Sequence, residues 1–155
     1  MSDTFKDINE WFRLAIPNPT KDNQRVQAAV FFEECAEFFD TVNENSNTFY
    51  DELITDTNYQ IKKLSDKMKT QADFMLSIND RKEFLDALCD IIVTVIGTGH
   101  VYGFDMLGAL DAVSKSNNSK FVDGKPIFNA QNKIAKGHNY HTPFLDSFVG
   151  KNPVA

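Results

Sequence analysis

The chain has 155 residues, the size of one domain, and a core of that size can bury roughly 70% of the surface that the unfolded chain exposes. Its net charge of −6 at pH 7 repels a phosphate polymer, so a nucleic-acid partner is not expected. Two cysteines without CxxC spacing imply no disulfide framework, the polar N-terminus predicts no signal peptide, and no apolar run approaches the ~20 residues of a membrane span. We therefore expect a cytoplasmic protein without a membrane partner.

The first half of the chain predicts three helices. Apolar residues recur at helical spacing from Phe5 to Ile16, and two prolines end that segment. Thr20 or Asp22 can cap a second helix, from about Asn23 to Val42, which is apolar on most of its faces. A more polar helix follows from Tyr50 to about Met68. The second helix carries three acids in its middle: Glu33, Glu34 and Glu37.

The second half predicts one strong helix and one short helix. The strong helix runs from Arg81 to about Val101 and carries Asp86 and Asp90 among apolar residues. After Gly103, Asp105 caps a short helix that ends near Ser114, and Asp123-Gly124 is a turn signal. Because few glycines and prolines interrupt these segments, the chain predicts a single all-α domain over residues 1–155, an antiparallel bundle of four or five helices.

The acids in the two most apolar helices predict a metal site. Glu33, Glu34 and Glu37 lie within one helical turn, and Asp86 and Asp90 are four residues apart on one side of their helix. Clustered ionised carboxylates repel one another, and burying them costs several kcal/mol unless a cation compensates. Lysines and arginines lie mostly elsewhere in the sequence. A hard divalent cation such as Mg²⁺, or Mn²⁺, fits an oxygen-only donor set.

One other interpretation of these acids is open, and a second is disfavoured by the sequence. Acids on a helix commonly mark a solvated face, in which case the protein is a non-catalytic helical adaptor. A di-iron carboxylate bundle would need ExxH pairs, and the sequence has none.

Four motifs in order resemble the MazG-like all-α pyrophosphohydrolases, a superfamily that includes dimeric dUTPase-like enzymes and phosphoribosyl-ATP pyrophosphohydrolase. Residues 33–37 match EExxE, and residues 86–92 resemble the second acidic helix. Residues 116–121 resemble an SNxSK loop, and residues 136–143 resemble a KGxxYxxP tail. The second motif departs from the usual ExxD, because Ala87 stands three residues before Asp90.

The resemblance implies hydrolysis of a nucleoside triphosphate at the α-phosphorus, which releases pyrophosphate. It implies Glu34, Glu37 and Asp90 as Mg²⁺ ligands, with Asp86 as the fourth ligand and Glu83 as the alternative. Glu33 would bind a second metal ion or act as the base that orients water.

Cationic and polar residues after the acidic helices are expected to bind the substrate. Lysines act as point charges on phosphate oxygens, serine and asparagine offer hydrogen bonds, and a tyrosine can stack on a base or simply pack. The predicted substrate-binding residues are Lys115, Asn117, Ser119, Lys120, Lys133, Lys136 and Tyr140.

The same resemblance predicts a homodimer or homotetramer that removes a deoxyribonucleotide such as dUTP or dCTP from the nucleotide pool. Phosphoribosyl-ATP hydrolysis is the alternative reaction on the same metal site.

Overall fold

Helices make up the regular structure of the protein. The computed structural model describes residues 3–43 and 47–153, and within these ranges it contains five α-helices and no β-strand. The prediction of an all-α protein is therefore confirmed; the bundle arrangement and the oligomeric state stay predictions. The helices are α1 (Asp3–Ala15), α2 (Lys21–Phe39), α3 (Thr48–Thr70), α4 (Arg81–Val101) and α5 (Met106–Asn118), followed by a short 3₁₀ turn at Asp146–Phe148.

Side-chain caps explain where three of the helices begin. Thr20 and Asn23 form a reciprocal capping box at α2, with the Asn23 amide 3.1 Å from Thr20 Oγ1 and the Thr20 amide 2.9 Å from Asn23 Oδ1. Asp80 accepts the amides of Lys82 and Glu83 at the start of α4. Asp105 caps α5 by accepting the Gly108 amide at 3.0 Å, as the sequence predicted.

The fifth helix is longer than the sequence predicted. It continues past Ser114 to Asn118, so Lys115, Ser116 and Asn117 lie in its last turn rather than in a loop. The Ser116 hydroxyl donates to the carbonyl of His141 at 2.7 Å, and the Asn117 carbonyl accepts the Trp11 indole N–H at 3.1 Å. These distant partners favour helix in a segment whose Ser and Asn residues are weak helix formers.

The chain forms two compact units. One contains α2, α3 and the segment Phe128–Lys133, and we call it the α2–α3 unit. The other contains α1, α4, α5 and the chain from Ile134 onward, and we call it the α1–α4–α5 unit.

Small residues allow close packing in the α2–α3 unit. Ala29 of α2 and Met68 of α3 are completely buried, and the Ser65 hydroxyl donates to the Ala29 carbonyl at 2.8 Å. Buried Arg25 donates to the Met68 carbonyl and to the Asp22 carboxylate. The hydrogen bonds satisfy polar atoms that burial would otherwise leave without partners, and they tie α3 to α2.

Trp11 is the central side chain of the α1–α4–α5 unit. It is buried, it stacks on Phe121 with ring centroids 5.5 Å apart, and its indole N–H is bonded to α5. Its burial makes Trp11 a core residue of this unit. The Asp123-Gly124 turn also forms as predicted: both residues have positive φ, and Val122 and Lys125 exchange two backbone hydrogen bonds of 2.9 Å.

Most of α4 is exposed. Within its unit α4 packs against α5, and many of its apolar side chains are exposed, among them Leu85 at 61% and Val93 at 67%. By length and composition alone, α4 could also cross a membrane, a test that core helices pass as well.

Candidate functional site

A polar cavity of about 270 Å³ opens between α2 and α3. Four acids and two lysines surround it, together with two small residues at the helix contact. The lining residues are Glu33, Ala36, Glu37, Asp40, Lys62, Ser65, Asp66 and Lys69.

Helical spacing places these residues on facing sides of the two helices. Glu33, Glu37 and Asp40 are four and three residues apart, so they form one stripe along α2 and its C-cap. Lys62, Asp66 and Lys69 repeat this spacing along α3. The arrangement therefore concentrates charges of both signs around one cavity.

Glu33 is paired with two lysines that are far away in the sequence. Lys69 Nζ lies 2.9 Å from Glu33 Oε1, and Lys133 Nζ lies 2.6 Å from Glu33 Oε2. Burial raises the pKa of Glu33, but hydrogen bonds from Lys133 and then Lys69 outweigh it, so the pKa of this carboxyl is lowered from its ordinary value. Glu33 is thus held ionised although its side chain is largely buried, with only 28% of it exposed.

Asp40 has a lysine partner of its own. Lys62 Nζ and the Asn58 amide nitrogen each lie 2.7 Å from Asp40 Oδ1, and these hydrogen bonds lower the pKa of the exposed carboxyl. The lysines lie elsewhere in the sequence, as noted above, but α3 and Phe128–Lys133 bring them to the acids on this face of α2.

Glu37 is the predicted metal ligand that faces the cavity together with Glu33. Glu34 is exposed on α2 and is not among the cavity-lining residues. The structure thus brings Glu33 and Glu37 together, as the EExxE spacing predicted.

Asp86 and Asp90 lie on α4 in the other unit, one helical turn apart, and both are exposed. The Glu83 amide donates to Asp80, so Glu83 lies in the first turn of α4. The choice between Asp86 and Glu83 as fourth ligand stays a prediction.

Within residues 3–43 and 47–153, no three His, Cys, Asp or Glu side chains are grouped closely enough to hold a metal ion. The carboxylate oxygens of Glu37, Asp40 and Asp66 are nevertheless the donors that Mg²⁺ prefers.

Four charged residues of this cavity were missed by the sequence analysis: Asp40, Lys62, Asp66 and Lys69. The signal that could have found them is their spacing, because Asp40 lies seven residues after Glu33 and Lys62 lies seven before Lys69. The spacing alone, however, does not say which face of α3 meets α2.

The SNxSK segment and the KGxxYxxP tail meet in the α1–α4–α5 unit. The Ser119 hydroxyl donates to the Ser116 carbonyl at 2.7 Å and accepts the His141 amide at 3.1 Å. The Gly137 amide donates to the Lys120 carbonyl at 3.2 Å, and a Cβ at Gly137 would lie 2.8 Å from that oxygen. Glycine is therefore needed for this close approach, and Ser119 has a structural role in joining the two motifs.

The other predicted substrate-binding residues of this unit have local partners. Lys136 Nζ lies 4.6 Å above the Tyr140 ring, a cation–π contact between two of them. Lys115 is exposed and pairs with Asp111 at 2.7 Å, a contact that lowers the pKa of Asp111 and raises that of Lys115.

Lys133 belongs to the α2–α3 unit, where a turn fixes its backbone. Asn129 Oδ1 accepts the amides of Gln131 and Lys133, each at 3.0 Å. Asn132 has a φ of +60°, a left-handed conformation that asparagine adopts more readily than most residues, and its side chain donates to Asp22 Oδ2 at 2.9 Å. The segment is thus anchored on α2 by Asn132, next to the contact between Lys133 and Glu33.

Comparisons with known proteins give one distant relative and no function. No protein-family model and no solved structure matches the chain. The uncharacterized protein L479 of Acanthamoeba polyphaga mimivirus is 33% identical over 101 residues. The match covers 61% of this chain and 40% of the viral protein, so the chain spans less than half the length of that relative.

Proposed function

We propose that the protein is a magnesium-dependent nucleoside triphosphate pyrophosphohydrolase, which converts a deoxyribonucleotide such as dUTP or dCTP to the monophosphate and pyrophosphate. The observation that carries the proposal is the α2–α3 cavity, where Glu33 of the EExxE motif pairs with the cavity lysine Lys69 and with Lys133 from a distant segment. Hydrolysis of a triphosphate at a phosphoanhydride bond uses two such components: carboxylates that bind a divalent cation, and ammonium groups that bind phosphate oxygens.

The proposed roles follow the chemistry of each side chain. Glu37 is the predicted ligand that lines the cavity and would hold the magnesium ion there, and Glu34, Asp86 and Asp90 are the further ligands that the sequence predicts. When bound, magnesium neutralises charge on the phosphates and lowers the pKa of a coordinated water. The lysines bind phosphate oxygens, and a carboxylate that is ionised at neutral pH accepts the proton of the attacking water.

The reaction is tested by product analysis. Purified protein with Mg²⁺ is offered a panel of ribo- and deoxyribonucleoside triphosphates, and pyrophosphate is scored against orthophosphate. In heavy-oxygen water, attack at the α-phosphorus places the label in the nucleoside monophosphate. Release of orthophosphate alone, or label in the pyrophosphate, contradicts the proposed reaction.

A pair of acid variants tests the site. We expect Glu37→Gln to reduce turnover by roughly two orders of magnitude or more, because a metal ligand supplies several kcal/mol of transition-state stabilisation. Glu52→Gln, which changes an exposed acid of α3 away from the cavity, is the matched control and is expected to keep wild-type turnover.

A non-catalytic adaptor is the second candidate, favoured by the apolar surface of α4 and by the lysines that already compensate Glu33 and Asp40. In an adaptor these acids have no metal to hold. Glu37→Gln would then leave stability and metal binding unchanged, which separates the two functions.

A further inference from the structure

Glu33 has a lysine on each of its two carboxylate oxygens. Lys69 of α3 lies 2.9 Å from Oε1, and Lys133 lies 2.6 Å from Oε2. One carboxylate therefore joins three segments of the α2–α3 unit that are 36 and 100 residues apart in sequence.

The lysines keep hydrogen-bonding capacity beyond this contact. An ammonium group has three N–H donors, and Glu33 accepts one from each lysine. Lys69 lines the cavity beside Glu37, with 18% of its side chain exposed, and Lys133 is 39% exposed. Both ammonium groups can therefore reach a further acceptor without leaving Glu33.

A metal ion on Glu33 would be opposed by its neighbours. A divalent cation bound to either oxygen would lie within a few Å of two ammonium groups, and like charges at that separation repel strongly in a partly buried site. Glu37 lines the same cavity and has no lysine contact of this kind among the described ion pairs. The metal-binding role predicted for the EExxE motif therefore suits Glu37 better than Glu33.

Fixing two lysines in advance has a physical advantage. A free lysine side chain loses rotamer entropy when it is ordered by a ligand, whereas one held by a carboxylate has already lost most of it. The Asn132 contact with Asp22 orders the backbone beside Lys133 in the same way.

We propose that Glu33 is a positioning residue, which holds Lys69 and Lys133 as a paired ammonium site for the phosphate chain of the triphosphate and binds no metal itself. This rests on the proposed pyrophosphohydrolase function and adds Lys69 to its substrate-binding residues. Phosphate binding by charged hydrogen bonds then depends on the lysines, and metal binding depends on Glu37.

The test compares binding of two separate probes, inorganic tripolyphosphate and Mn²⁺ alone, by calorimetry. We expect Lys69→Met and Lys133→Met each to weaken tripolyphosphate binding roughly tenfold, about 1.4 kcal/mol, with Mn²⁺ affinity unchanged. Lys69→Arg retains the cation and is expected to restore most of the affinity. Lys63→Met, an exposed lysine of α3 outside the cavity, is the matched control and should bind both probes like the wild type.

Glu33→Gln and Glu37→Gln separate positioning from metal binding. Glu33→Gln should raise the KM for the triphosphate more than it lowers kcat and should keep the wild-type Mn²⁺ affinity, whereas Glu37→Gln should lose Mn²⁺. If Glu33→Gln does not fold, as judged by circular dichroism, the three lysine variants decide.

Two results would overturn the inference: tripolyphosphate affinity in Lys69→Met equal to that of the wild type, or loss of Mn²⁺ in Glu33→Gln as large as in Glu37→Gln. Failure of the proposed function looks different. In that case the wild type releases no pyrophosphate from any triphosphate, while the tripolyphosphate measurements still show whether the lysine pair binds phosphate.

Discussion

Glu33 illustrates how contacts at a single residue set its charge. Partial burial favours the neutral acid, two ammonium groups favour the carboxylate, and the balance lowers the pKa. The EExxE spacing is local, so the sequence alone indicated that Glu33 and Glu37 lie on one side of α2, where both line the cavity. It could not predict Lys69 and Lys133 as partners, because they come from segments 36 and 100 residues away, and their approach depends on how α3 and Phe128–Lys133 pack.

The lowered pKa of Glu33 predicts a pH-dependent stability. A carboxylate whose folded-state pKa is depressed stabilises the fold above its ordinary pKa, and that contribution is lost as pH falls through the lowered folded-state pKa. We expect the wild type to exceed Glu33→Gln in unfolding free energy by about 1 kcal/mol at neutral pH, with the difference shrinking below about pH 4. Urea unfolding of both proteins at neutral pH and below about pH 4 measures this difference in unfolding free energy. A difference that stays the same at the two pH values would refute the role of the ion pairs.

At the scale of secondary-structure elements, caps were easier to predict than packing. Thr20 and Asp105 begin α2 and α5 as expected, because a cap is defined by residues three or four apart. The end of α5 was placed too early, since contacts with His141 and Trp11 favour helix there. The exposure of the apolar residues of α4 could not be predicted, because an apolar pattern does not specify which surface covers it.

Two glycines of α4 offer a matched test of the α4–α5 contact. A Cβ at Gly99 would lie 2.2 Å from Cγ and Sδ of Met106, whereas a Cβ at Gly97 meets nothing within 4 Å. Gly99→Ala is expected to destabilise the protein by about 1–3 kcal/mol through overpacking. Gly97→Ala is expected to stabilise it by about 0.5–1 kcal/mol, because glycine weakens a helix interior.

Thermal unfolding of both variants measures the difference. Met106→Ala in the Gly99→Ala background provides the space for the added methyl group, so it should recover part of the loss. Equal effects of the two glycine changes would show that α5 does not pack on α4 at Gly99.

For the whole molecule, the helical spacing of apolar residues together with scarce glycine and proline was sufficient to predict an all-α protein. Association of copies is a different matter, since it depends on a surface rather than on local sequence. The resemblance to oligomeric enzymes and the exposed apolar residues of α4 both support the proposed homo-oligomer.

Oligomerisation is tested by light scattering of the wild type and of a charged variant. We expect a dimer or tetramer, and we expect Val93→Lys to weaken it, because an unpaired charge in an apolar interface is costly to bury. Leu14→Lys, at an exposed apolar residue of α1, is the control that should keep the wild-type mass. A monomeric wild type would contradict the proposal.

Titration of the purified protein with Mn²⁺, with and without a nucleoside triphosphate, tests the metal-dependent function most directly. The account predicts uptake of Mn²⁺ by the wild type and its loss in Glu37→Ala and in Asp90→Ala, with both variants still helical. Absence of uptake by the folded wild type, even with triphosphate supplied, would contradict it.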